Sequence, residues 1–218
     1  MASYRTGVIT QEQIISICRE LFYQKGYRET PFSEICKKAN VNPGSISYHF
    51  KGKQNIAQII YCEMNQKCHE QLRVLFPNED RLHLLLIGLC VHFRLMHMDA
   101  NYRRFSSQIA VDCASIFLED GYKFTSPLAY DFLKSLVPAE KYEFFLNASV
   151  GIEASVNAYI CQHLNPEDFY NNVQYATELY LYLMDGSTLL PMVDDALNAT
   201  QDLIIKCSDL EITVSRQN

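Results

Sequence analysis

The chain has 218 residues, nearly half of them hydrophobic, which is ample for a packed core and too apolar for a disordered polymer. Its eight Gly and seven Pro fall between apolar stretches rather than inside them, which excludes a many-turned sheet protein and leaves an all-α fold. The net charge of −6 excludes a polyanion-binding surface spread over the whole molecule, but residues 1–55 hold eight Lys or Arg against four Glu, a net of +4, so the remainder carries −10.

The first segment, MASYRTGVIT, has neither the basic start nor the apolar run of a secretory signal. Thr10 then reads as a helix N-cap with Gln13 completing a capping box, and Ile14, Cys18, Leu21 and Phe22 repeat at helical spacing up to a closing Gly26. A second, short helix starts from Thr30 as cap and Pro31 in the first turn, with Phe32, Ile35, Cys36 and Ala39 on one apolar face. Asn40 suits a left-handed corner, and Val41 packs inward beneath it. Asn42 caps a third helix with Pro43 at its first position, and Ile46 and Phe50 face the core four residues apart. Two short helices joined by so tight a corner form a helix-turn-helix. After Lys51-Gly52-Lys53, a long fourth helix carries Ile56, Ile60 and Met64 toward Leu75, where Pro77 and Asn78 break it.

Further helices are predicted at 82–98, 101–118, 126–136, 139–163, 167–185 and 188–206, separated by Asp99, Gly121, Pro127, Pro138, Asn165-Pro166 and Asp185-Gly186. Beyond Ser208 the chain is expected to fray, or to run extended, since Leu210, Ile212 and Val214 alternate. The longest apolar stretch, Leu84–Phe93, is interrupted by His92 and too short to span a bilayer, so no membrane contact is expected. The eight cysteines are scattered without a CxxC pair, as in a reduced, cytoplasmic protein. His92 and His97 are five apart, on different helical faces, and do not form a metal-ligand pair. Neither a metal nor a cofactor is expected. Nor is an enzyme, because no nucleophile elbow, phosphate loop, HExxH or nucleotide fingerprint is present.

The run Gly44-Ser45-Ile46-Ser47-Tyr48-His49-Phe50-Lys51-Gly52-Lys53, preceded by Ile35 to Val41, resembles the DNA-binding domain of the tetracycline-repressor (TetR) family over about the first quarter of the chain. It departs from the family pattern at Asn40, where Gly is common, and at Ser47, where an aromatic residue is frequent. The resemblance implies a ligand-responsive repressor, a homodimer held by the last long helices, with the third helix of each subunit in successive major grooves of a palindromic double-stranded operator and a small-molecule inducer that releases it. The organisation expected is a DNA-binding domain over 1–55 with its motif at 31–50, a connecting helix at 56–76, a larger antiparallel helical domain for ligand binding and dimerisation at 77–208, and a tail at 209–218. Thr30, Ser33, Asn42, Pro43, Gly44, Ser45, Ser47, Tyr48, His49, Lys51 and Lys53 are the candidate DNA contacts. With no Arg or Asn after Asn42 on the exposed face, bidentate base readout is poor, and specificity is expected to lean on DNA shape and dimer spacing.

The ligand contacts are not legible. His92, Tyr102, Asn147 and Glu153 are polar residues in apolar helical stretches, each also explained as a satisfied buried group. The small residues Ala148, Gly151, Ala154, Ala158 and Cys161, with Tyr159, Tyr180 and Tyr182, suit close helix approach between subunits or within one. Two alternatives stay open: a metal- or thiol-responsive regulator of the same fold, and a helical binding protein or enzyme that no longer uses DNA.

Overall fold

The computed structural model describes residues 2–114, 134, 137–183 and 189–217, with side chains from Gln11 onward except at positions 146, 180 and 183. The helix predicted at 126–136, the end of that at 101–118 and the breakers Gly121, Pro127 and Asp185-Gly186 lie outside the described residues.

Helix α1 (Ala2–Gln24) runs back through Thr10, which is therefore an interior residue and not a cap. Its Ile14, Cys18, Leu21 and Phe22 are buried as the spacing requires. Gly26 ends it at φ 108, a backbone conformation that residues with a Cβ rarely adopt, so glycine suits this corner. Helix α2 (Phe32–Ala39) starts one residue later than expected, with Pro31 in the cap position. Asn40 takes the left-handed conformation, φ 52 and ψ 45, and Val41 N–H donates to Cys36 O at 3.0 Å. Helix α3 (Pro43–Phe50) is capped by Asn42, whose side chain accepts from Ser45 N–H at 2.9 Å, and it buries Ile46 and Phe50. Helix α4 (Lys53–Leu75) buries Ile56, Ile60, Met64, Cys68 and Leu72 along one face.

The body begins with α5 (Arg81–Met98), capped by Asp80, and α6 (Ala100–Asp112), capped by Asp99 through Asn101 and Tyr102 N–H. By length and mean hydropathy α5 is apolar enough to cross a membrane. It is instead the central core helix, with Leu84, Leu86, Ile87, Cys90, Val91, Phe93, Leu95 and Met96 buried against neighbouring helices. Then follow a 3-10 turn at Ala139–Lys141, α7 (Tyr142–Ile160), a second 3-10 turn at Pro166–Asp168, α8 (Phe169–Leu183) and α9 (Pro191–Ala199).

The helix predicted at 188–206 is corrected: it stops at Ala199, and residues 203–208 form a strand. Strand β1 (Leu203–Ser208) pairs antiparallel with β2 (Glu211–Arg216), from Leu203 opposite Arg216 to Ser208 opposite Glu211. Asp209 and Leu210 both have positive φ, as a two-residue type I′ turn requires. The expected tail is thus an ordered hairpin, and one face of it lies on α4. Gln71 acts there as a short strand, donating to Ile212 O at 2.9 Å and accepting from Val214 N–H at 2.8 Å. Arg19 of α1, itself buried, donates to Leu210 O at 3.0 Å and pairs with Glu63 of α4. Tyr23 donates to Cys207 O at 3.0 Å and to Asp99 at 2.8 Å. Apart from this hairpin the described residues are helical, and one hydrophobic cluster runs from Ile14 in α1 to Val214 in β2.

Candidate nucleic-acid interface

Burying Ile46 and Phe50 turns the opposite side of α3 outward. Asn42, Pro43, Gly44, Ser47 and Tyr48 are exposed, Tyr48 at 85%, with its ring edge-on to His49 at 5.1 Å. An aromatic side chain held this far into water gains nothing from folding, which marks it as available to a partner. Ser45 is half-buried, and its N–H and hydroxyl both lie on Asn42 Oδ1, at 2.9 and 3.3 Å. Gly44 leaves room for that cap: a Cβ there would press on the same oxygen at 3.1 Å. Ser33, at the start of α2, and Lys51, just past α3, are exposed on the flanks of the same unit. His49 is half-buried with Nδ1 3.2 Å from Gln11 Nε2, so α1 orients the ring.

Two residues leave the candidate set. Thr30 is fully buried, and its hydroxyl donates to Gly26 O at 2.7 Å, closing the α1–α2 loop instead of capping α2 or facing a phosphate. Lys53 turns inward: its ammonium donates to Tyr27 O at 2.8 Å and Thr30 O at 3.0 Å and sits 4.3 Å above the Tyr27 ring, and burial lowers its pKa. Both are residues that position the motif.

Counting basic residues also overstated the field at this face. Lys25 pairs with Glu34, Lys38 with Glu20, Arg28 with Asp112 and Arg19 with Glu63. Lys37 and Lys51 make no ion pair among the described residues and are the free cations beside α3. Four contacts then tie the head to α6. Arg28 holds Asp112 through two bonds of 2.7 and 2.8 Å, which lower the pKa of that carboxyl. Gln108 donates to Glu29 at 2.8 Å, Arg104 to Tyr23 O and Gln24 O at 2.8 Å, and Gln54 to Asp112 O at 3.1 Å.

A short helix with a polar, aromatic outer face, rigidly crossed by a second short helix, defines a helix-turn-helix head. Residues 14–58, which contain this head, match the family described as bacterial regulatory proteins, tetR family. Among curated proteins it is 33% identical over 90 residues to the uncharacterised HTH-type transcriptional regulator YvkB of Bacillus subtilis, covering 40% of this chain and 46% of that one. It is 34% identical over 61 residues to the HTH-type transcriptional regulator QacR of Staphylococcus aureus, covering 28% and 32%. The chain thus spans less than half the length of these relatives. Among solved structures, RolR in complex with resorcinol superposes with a TM-score of 0.57 at 13% identity, over 85% of this chain and 96% of that one, a likeness of fold that takes in the body as well as the head.

Proposed function

We propose that the protein is a ligand-responsive transcriptional repressor of the cytoplasm, binding a palindromic operator as a homodimer and released by a small-molecule inducer. The exposed face of α3, with Tyr48 at its centre and Ser47, Gly44 and Lys51 around it, carries this reading. The homodimer is supported by apolar side chains left in water on the late helices: Phe144 on α7, and Tyr175, Leu179 and Tyr182 at helical spacing on α8. On α7 the exposed Gly151, Ser155 and Ala158 continue the line from Phe144 with small side chains that permit close approach of a second helix. Release is supported by the contacts of Arg28, Gln108, Arg104 and Gln54 between α6 and the head, through which a shift of α6 would change the head angle.

Burial pushes the thiols of Cys18, Cys68, Cys90 and Cys207 up to about 12, which keeps them protonated and unreactive. That disfavours thiol chemistry at these four positions.

The test is a mobility-shift titration against DNA from upstream of the protein's own gene, with nonspecific competitor, at two salt concentrations. Specific retardation is expected, weakening as salt rises, and Tyr48→Ala is expected to lower affinity on the order of tenfold with the melting temperature unchanged. Because Lys51 is unpaired, Lys51→Ala should flatten the plot of log affinity against log salt by about one unit per subunit. A folded dimer that retards no operator, or an unaltered slope, would count against this assignment.

A further inference from the structure

Four helices bring polar side chains together inside the body. Tyr61 of α4 donates to Glu153 Oε1 of α7 at 2.9 Å, and Tyr102 of α6 meets His92 Nδ1 of α5 at 2.7 Å. Ser106 lies one turn along α6 from Tyr102, and Asn157 one turn along α7 from Glu153. Tyr102 is fully buried, and Ser106 and Asn157 are each 1% exposed. Burial lowers the pKa of His92 to about 4, so its imidazole is neutral at physiological pH, and it raises that of Glu153.

Within this cluster Asn157 stands out. It lies close enough to His92 to interact with that ring, yet among the described residues neither its amide nitrogen nor its amide oxygen meets a partner at full hydrogen-bonding geometry. A buried amide with donor and acceptor both unmatched costs stability, and an apolar residue of similar size would cost less. Such a group is retained where something else completes it. The missing partner must offer an acceptor to Nδ2 and a donor to Oδ1, side by side. An anion is disfavoured by a desolvation cost that no cation of the cluster offsets. A cation would have to ionise Glu153, whose surroundings oppose that.

We propose that the cluster binds the inducer, and that the inducer is a small uncharged molecule with a carboxamide or lactam edge that pairs with the Asn157 amide. This rests on the reading of the body as a ligand sensor. It also accounts for transmission: Tyr102 and Ser106 stand on the same helix as Gln108 and Asp112, which hold the head, and Tyr61 stands on α4, which leads directly from the helix-turn-helix.

The probes are three molecules of nearly equal shape, benzamide, benzoate and benzylamine, titrated into the full chain by calorimetry with thermal shift as a second readout. Benzamide should bind and raise the melting temperature, and the charged pair should not. Asn157→Leu should weaken benzamide at least about tenfold while leaving the ligand-free protein no less stable, because it removes an unmatched amide; Asn157→Ala serves as a second variant if leucine overpacks. Equal binding of all three probes, no binding of benzamide, or binding that survives both substitutions would overturn the proposal. Mobility shift on the same preparation separates the two readings: retarded DNA without Asn157-dependent amide binding removes this inference alone, whereas amide binding without retardation removes the repressor.

Discussion

A chain ended at Thr200 is expected to give no cooperative thermal transition and to collect in the insoluble fraction, whereas one ended at Arg216 melts like the full chain. The cut removes the buried side chains of Leu203, Ile205, Leu210, Ile212 and Val214. Each is worth about 1.5–3 kcal/mol on full burial, an upper figure since an unfolded chain already shields part of its surface. Together they match the whole net stability of a typical domain, about 5–15 kcal/mol. The cut also uncovers the side of α4 against which β2 packs, and it strips Arg19 of its bond to Leu210 O, leaving a buried guanidinium with Glu63 alone. Circular dichroism against temperature decides the matter. A truncated protein with the original transition would show that the hairpin is an accessory.

Phe105→Ala is expected to cost about 3–5 kcal/mol, as for other fully buried phenylalanines, and to lower the melting temperature by roughly 10 °C for a protein of this length. Phe105 of α6 is fully buried and stacks on Phe22 of α1 with centroids 6.1 Å apart, and Phe22 in turn meets Tyr27 edge-on at 5.4 Å. These rings are the apolar joint between head and body, beneath the polar contacts of Arg28, Arg104 and Gln108. Removing the middle of the stack opens a cavity at the joint, so calorimetry should show a broadened or divided transition as well as a lower one. Phe105→Leu should recover most of the loss. A single unshifted transition for Phe105→Ala would mean that the polar contacts alone hold the head.

The helix-turn-helix was legible because its signals are local. A positive φ at Asn40, a cap at Asn42 and a proline at the first turn are each decided within four residues, and the four-residue spacing of Ile46 and Phe50 then decides which way Tyr48 faces. What failed depends on partners far along the chain. Lys53 is basic and adjacent to the motif, but the carbonyls of Tyr27 and Thr30 turn it inward. Leu203–Ile205 is a short apolar run that suits a helix or a strand equally, and its pairing with residues 211–216 selects the strand.

The polar cluster of the body was half visible. His92, Tyr102 and Glu153 were picked out by their apolar settings and do converge, but Asn147 is exposed and merely bonds back to Glu143 O one turn earlier. Tyr61 and Asn157 were missed. The spacing of Glu153 and Asn157, one helical turn apart, was the available clue. Of the interface candidates, Gly151, Ala158, Tyr159, Cys161 and Tyr182 are exposed, Ala148 and Ala154 are partly covered, and the side chain of Tyr180 lies outside the described residues.

The hairpin also sets an order of events during synthesis. Arg19 bonds to a residue 191 positions later and Tyr23 to one 184 later, so α1 is completed by nearly the last residues described. Contacts at such separation form slowly and late. A chain that lacks residues 203–216 therefore carries its helix-turn-helix without the strands that brace α1 and α4, and the head reaches its final setting only once those strands are made.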